Sequence, residues 1–389
     1  MSRNFLTLWL GQLVSLLGSG LTGFAVSLWV YEQTQSPYWL SIAVFAKLMP
    51  NIYLSLFAGH LVDRFPLKNV IAGSNLILLV LTILAGTLLR FDLFNLSALM
   101  MFLFLTGAVE SALGLAFQSS TALLARPEFF MRSQGLVALI ENGPLILAPV
   151  LGVIAYEKMG FKGILWMDAI SYVLALFALK TVSFPEIPAR AKQSWGAGIH
   201  KILGHPQLRH LQLHFCWANF FHGLLAGLVA ALVLTATAGD KKSLAMVNTL
   251  SAVGLTLGAL LVLLVPLKRR LGSVIAGGTL IGAIAGRILV GASGLIGLWA
   301  VGLAIRQLMM PVINSANQTL WVQLTAPEER GVVFGARRLL SQGLYPLAVF
   351  LGGALSAVPN GPSLGQLFLI IGLLEALVSL VAFWRLRQF

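Results

Sequence analysis

Long apolar runs alternate along this chain with short polar breaks. A membrane-spanning helix needs about 20 mostly apolar residues. Runs of that size fall at 5–31, 38–62, 70–89, 96–118, 134–156 and 162–182, and again at 210–235, 244–267, 273–291, 294–318, 332–356 and 364–386. The pattern predicts an all-α polytopic membrane protein with twelve transmembrane helices in two pseudo-symmetric six-helix bundles. The bundles are expected over 1–182 and 210–389, joined by a cytoplasmic linker at 183–209. The first run is longer than a signal-peptide core and has no small-x-small cleavage pattern, so it reads as a retained helix.

The linker holds Pro185, Pro188, Arg190, Lys192, Lys201 and Arg209 and is the longest polar stretch. Within it Trp195, Ile199, Ile202 and Leu203 recur at helical spacing beside His200 and Lys201. That spacing suits a short amphipathic helix on the bilayer surface, or a solvated loop.

Basic residues sort by side. In the twelve-helix arrangement eighteen Lys and Arg fall on one face of the membrane, and five (Arg90, Lys158, Lys162, Lys241, Lys242) on the other. Positive charge collects on the cytoplasmic side. Both termini are therefore expected in the cytoplasm, with the chain in the inner (plasma) membrane.

The halves repeat each other at an offset of 200 residues, as Gln118 to Gln318 shows. Pro127, Glu128, Gly135, Gly143 and Gly152 recur as Pro327, Glu328, Gly335, Gly343 and Gly352. Pro66, Leu67 and Lys68 recur as Pro266, Leu267 and Lys268. Apolar matches are cheap, but these residue types in one register point to duplication.

Composition narrows the class. Of 389 residues, 58% are hydrophobic and only 10% charged, against about a quarter charged in a soluble domain. The net charge of +13 is spread between apolar runs and forms no patch for nucleic acid. The single cysteine, Cys216, rules out an intramolecular disulfide and a cysteine metal cluster. There is no His-Glu-x-x-His, no phosphate-binding Gly-Lys-Ser/Thr loop and no cysteine-histidine site. An enzyme is not expected, nor a cofactor or metal.

Seven ionisable residues fall at bilayer depth: Lys47, Glu110, Glu141, Asp168, Arg287, Arg306 and Glu375. Charge there is costly unless it is paired or faces water. Glu110 and Glu141 are the candidates for carrying a proton, since coupling needs a carboxyl that loads and releases near neutral pH. Lys47 neutralises one of them, binds an anionic group of a substrate, or acts as a structural counter-ion. Asp168 with Arg90, and Arg287 with Glu375, read as structural pairs on peripheral helices.

The fourth run carries Gly107, Glu110, Gly114, Phe117, Gln118 and Thr121 at spacings of three and four, placing them on one face. The tenth carries Arg306, Met310, Asn314, Asn317, Gln318 and Trp321 likewise. Glu110 lies one turn from the symmetry mate of Arg306, so the two are expected to pair or to compete for substrate and proton. On the first run Gln12, Ser15, Ser19 and Thr22 share a face, and the seventh offers Asn219 and His222. These complete the candidate substrate cavity. His222 is a proton carrier by its ordinary titration range, or a hydrogen-bonded packing residue.

The segment Gly59-His-Leu-Val-Asp63-Arg64-Phe-Pro-Leu-Lys68 joins the second and third runs. It resembles the signature loop of the major facilitator superfamily, with Pro66 in place of the second glycine and Asn69 in place of the second basic residue. Ala116-Phe-Gln-Ser, Arg126-Pro-Glu, Asn314-Ser-Ala-Asn317-Gln318-Thr-Leu-Trp321 and Glu329-Arg-Gly331-Val-Val-Phe334-Gly-Ala-Arg-Arg338 resemble the macrolide-efflux type branch, drug:proton antiporter family three. Glu141-Asn-Gly143-Pro144 with Ala148-Pro149 looks like a degenerate Gly-Pro antiporter motif, or ordinary membrane-helix packing.

The resemblance implies a rocker-switch carrier, with a cavity lined chiefly by the first, fourth, seventh and tenth helices. It implies export of drug-like amphipathic compounds against the proton motive force, by a monomer whose partners are a small-molecule substrate and the lipid bilayer. Dedicated export of a siderophore, peptide or lipid is the alternative, and a non-transporting sensor or scaffold is one of another class. Asp63 at a helix end can accept hydrogen bonds from a helix N-terminus and pair with Arg64, Arg337 or Arg338, latching the cytoplasmic side. Its plainer role is to cap a turn. Its counterpart in the second half is Leu263, so a latch exists once.

Overall fold

A computed structural model describes residues 3–124, 130–184, 195–265, 270–326 and 329–386. Every regular element among them is a helix. That is the expected answer to a bilayer, where each backbone N–H and C=O must find its partner inside its own segment.

The chain forms two compact units, 1–35 with 42–191, and 36–41 with 192–389. The first contains α1 (Arg3–Thr34), most of α2 (Pro37–Tyr53), α3 (Ser55–Arg64), α4 (Leu67–Arg90), α5 (Leu96–Leu124) and α6 (Phe130–Lys180). The second contains α7 (Trp195–Gly204), α8 (Pro206–Ala226), α9 (Leu228–Ala236), α10 (Lys241–Leu264) and α11 (Leu271–Ala283). A π-helical turn at Ile284–Ile288 follows, then α12 (Leu289–Ala292), α13 (Ile296–Leu324), α14 (Arg330–Gln342), α15 (Tyr345–Ser356) and α16 (Leu364–Leu386).

Ten helical stretches among the described residues are long and apolar enough to cross a membrane. The other two of the twelve expected spans coincide with interruptions. The second run is interrupted at Leu54, between α2 and α3. The fifth and sixth runs form one long α6 that turns at Gly160, where φ is +64°, a left-handed conformation that glycine adopts without a Cβ clash.

The repeat is visible in the elements. α5 and α13 are both 29 residues long and start at Leu96 and Ile296. α6 and α14 start at Phe130 and Arg330.

Glycines set the close helix contacts. A Cβ on Gly254 or Gly258 of α10 would run into the backbone carbonyls of Ala304 and Leu308 on α13. The two form a small-xxx-small pair, which lets membrane helices approach to backbone contact. In the first unit the glycine is on the other partner: Gly107 of α5 packs on the Lys47 carbonyl of α2.

Outer faces are apolar. On α16 Leu373, Leu377, Leu380, Val381 and Trp384 are exposed, whereas Phe368, Ile371, Gly372, Glu375 and Ser379 are buried. A soluble monomer does not carry such a face; in lipid it needs no cover. Within the expected linker lies α7, whose Ile202 is wholly buried with Leu208, Leu271, Trp321 and Val333. Lys201 beside it pairs with Glu329. α7 is therefore packed onto the second unit.

Candidate functional site

The second unit holds a cavity of about 430 Å³, in the range of roughly 300–1,000 Å³ that small-molecule sites occupy. α13 lines it with Arg306, Met310, Asn314, Asn317 and Gln318. α8 adds Phe215, Asn219 and His222, and α14 adds Phe334, Arg337, Arg338 and Ser341. Glu375 of α16 closes one wall.

A charge cluster stands at that wall. Arg287, on the π-helical turn, pairs with Glu375, and both side chains are 2% exposed. Arg306 Nη1 lies 3.6 Å from the same carboxylate oxygen, and its Nη2 donates to His222 Nδ1 at 2.8 Å. A guanidinium has only donors, so the His222 nitrogen accepts, and its proton sits on Nε2. The Arg287–Glu375 pair is thus present, but it borders the cavity instead of lying apart on peripheral helices.

Farther along the wall the Asn219 amide donates to the Ser341 carbonyl at 2.8 Å, and Gln212 donates to the Ser341 hydroxyl at 2.9 Å. These ties hold α8 against α14. Arg337 donates to Gln318 Oε1 at 2.8 Å and lies over the rings of Trp321 and Phe334. Trp321 itself is 1% exposed, a core residue behind the cavity and not part of its lining. An indole at the junction of α7, α11 and α14 buries more apolar area there than at a wet wall.

The first unit carries two networks. Lys47 of α2 pairs with Glu110 of α5 at 2.9 Å, and both are partly exposed. Asn51, one turn on, donates to the Gly107 carbonyl at 3.2 Å and clamps the same two helices. Glu110 thus has Lys47 for its partner, while Arg306 is bound to His222 and Glu375 within its own unit.

Asp168 of α6 accepts from the Thr22 hydroxyl at 2.8 Å and from Ser171 at 3.2 Å, with Ser19 at 3.4 Å. Ser19 also shares a 2.8 Å bond with the Tyr172 hydroxyl. The expected pair with Arg90 does not form: Arg90 ends α4 and is exposed, whereas Asp168 is 2% exposed. The polar face of α1 explains the change. Gln12, Ser15 and Thr22 are buried, and the hydroxyls of Ser19 and Thr22 turn to Asp168 instead of to a cavity. Gly18 permits this, since a Cβ there would meet Ser171 and Asp168.

Phe117 is also corrected. It is 4% exposed, in a core with Ile71, Leu113 and Ala116, so it packs within the first unit. Gln118 beside it is exposed.

In the signature loop, Gly59 and Arg64 lie in α3, and Arg64 is exposed over the Phe65 ring. Lys68 donates to the carbonyls of Val182 at 2.6 Å and Lys180 at 3.3 Å, completing the C-terminus of α6. The side chains of Asp63 and Glu141 lie outside the described residues.

Sequence reading passed over Thr279, Gly282, Gly286, Ser341 and Tyr172. The small residues are silent in a polarity scan, but a glycine-rich run at Gly277, Gly278, Gly282 and Gly286 opposite a charged helix is a usable signal.

A family model described as Major Facilitator Superfamily matches residues 8–348. The chain belongs to that superfamily. It is a multi-pass membrane protein of this family. Macrolide efflux protein A of Streptococcus pyogenes is 25% identical over 193 residues, covering 49% of this chain and 47% of that protein. The chain thus matches about half the length of its curated relatives.

Two solved structures superpose over the full chain. The POT family transporter PepTSo gives a TM-score of 0.80 at 10% identity, covering 100% of this chain and 99% of that one. A bacterial homologue of the iron transporter ferroportin, in its inward-facing state, gives 0.74 at 18% identity with 100% of both covered. At these identities the likeness concerns the fold of this major facilitator protein.

Proposed function

We propose that this major facilitator protein exports amphipathic organic compounds by proton antiport and alternating access. It works as a monomer in the plasma (inner) membrane, with both termini cytoplasmic. The observation that carries this reading is the mixed wall of the cavity in the second unit. Phe215, Met310, Ile313 and Phe334 give adaptable apolar surface, while Asn219, Asn314 and Gln318 supply hydrogen-bonding groups. Such a wall suits bulky molecules with an apolar body and scattered polar groups. The likeness to macrolide efflux protein A supports export over import. The bias of basic residues supports the orientation.

For coupling, the Lys47–Glu110 pair is the group of choice. Protonation of Glu110 removes the charge that holds Lys47 and loosens the clamp between α2 and α5. A proton taken up on one side and given up on the other would thereby change the packing of the two helices.

The test is transport by purified protein in liposomes, with a lipophilic dye as cargo and an imposed pH gradient. Wild type should accumulate dye only when the gradient is present. Glu110→Gln should lower gradient-driven transport about a hundredfold or more, a range typical of positioned proton-transfer groups, while the protein stays folded. Undiminished pH-dependent transport in that variant would exclude Glu110 as the coupling site. No gradient-driven transport by wild type of any amphipathic cargo would leave a sensor or scaffold as the better reading.

A further inference from the structure

We infer that the cavity of the second unit is a binding site for an anionic head group carried on an apolar body, with Arg306 as the cation that meets it. The inference deepens the exporter reading by naming the chemical class of cargo.

It begins with the balance of charge. Among the described residues, Arg287, Arg306, Arg337 and Arg338 stand in or directly behind the cavity wall, against the single carboxylate of Glu375. Charges at membrane depth are tolerated when they are paired. Glu375 is already held by Arg287 and reaches Arg306 only at 3.6 Å. Nη2 of Arg287 is buried without a hydrogen-bond partner among the described residues. One carboxylate therefore does not satisfy two guanidinium forks, each of which accommodates a bidentate oxyanion.

The backbone is built around these arginines. A Cβ on Gly286 would strike the Arg306 stem at 2.6 Å, and one on Gly372 would strike that of Arg287 at 2.8 Å. Gly282 lies against the Arg306 guanidinium, its Cβ position 3.5 Å from Nη1. The helix carrying Arg287 widens to a π turn at Ile284–Ile288, a rare distortion that is frequent at functional sites. Glycines on two helices thus leave room beside the two cations.

His222 completes the orientation. By accepting from Nη2 it holds the Arg306 plane from the α8 side without supplying charge. Phe215, Met310 and Ile313 line the same cavity and offer the apolar body its surface. The chemistry that fits is a carboxylate or similar oxyanion on an alkyl or aromatic frame. Such a head group can come from a free organic acid or from an anionic lipid.

The experiment is equilibrium binding to the purified full chain by isothermal titration, with decanoate and decanol as probes. Decanoate should bind the wild type at least about tenfold more tightly than decanol, the scale of a charge-assisted contact. Arg306→Gln should lose that preference, and Arg306→Lys should keep part of it. Equal affinity of the wild type for the two probes overturns the inference, whether or not the variants fold. A folded Arg306→Gln with an unchanged decanoate preference overturns it as well.

Repeating the titration in nanodiscs separates the two sources. Binding retained in phosphatidylglycerol as in phosphatidylcholine supports a free acid, and binding displaced by phosphatidylglycerol supports a lipid head group at the same site. Because binding is read without transport, a chain that prefers decanoate and exports nothing retires the exporter reading alone. A chain that exports and shows no anion preference retires only this inference.

Discussion

Buried charge in this chain is settled by what each residue can reach. Arg287 and Glu375 are each 2% exposed, so removing Glu375 leaves Arg287 uncompensated at bilayer depth. Glu375→Gln is expected to destabilise by about 3–5 kcal/mol, while a double change to Met at Arg287 and Leu at Glu375 should cost much less. Thermal unfolding in detergent will distinguish the two. Asp168 presents the opposite solution, with hydroxyls in place of a cation. Thr22→Val removes its shortest bond, 2.8 Å, and should cost about 1–3 kcal/mol, the penalty of a buried acceptor left short. Thr22→Ser should restore most of the loss. Both sets of residues were visible as anomalies in an apolar sequence. The pairing of Arg287 with Glu375 was legible too, but the partners of Asp168 were not, because Thr22 and Asp168 lie 146 positions apart.

At the scale of elements, contacts are governed by where side chains are missing. Gly254 and Gly258 bring α10 onto the α13 backbone. Gly258→Leu should destabilise the second unit by about 1–3 kcal/mol or more, as overpacked contacts do, and thermal unfolding measures it. The start of α10 offers a pH test. Asp240 accepts from the Ser243 hydroxyl at 2.6 Å and from the backbone N–H groups of Lys242 and Ser243 at 3.1 Å. These bonds, the hydroxyl foremost, hold its carboxyl below the ordinary aspartate range. A carboxyl lowered in the folded state stabilises it above the unfolded value, about 3.9, and that contribution is lost as pH falls through the folded value. Acidification below about pH 4 should therefore fray the first turn of α10, seen as faster amide exchange at Lys242 and Ser243 after correction for intrinsic rates. Asp240→Asn keeps a capping oxygen and should abolish that pH dependence. Sequence reading located most of these helices, since length and apolarity are local. It misassigned Phe117 and Trp321 to a cavity, because a large aromatic on a polar stripe is equally a core residue.

For the whole molecule, the chain's own residues determined that it spans a membrane many times, that it carries two related halves, and that its polar stripes lie on a few helices. Each follows from local quantities: the length of an apolar run, its helical period, and residue identities repeated from Gln118 to Gln318. Tertiary structure decided which stripe faces what. It turned the Ser19 and Thr22 face of α1 to Asp168, gave Glu110 to Lys47, and brought Arg287, Arg306 and His222 around Glu375. The reason is rotational. A helix in lipid is apolar on nearly every side, so its sequence leaves its rotation about its own axis undetermined; packing against neighbours selects it, through glycines such as Gly18, Gly107 and Gly286 that admit one orientation and refuse the others.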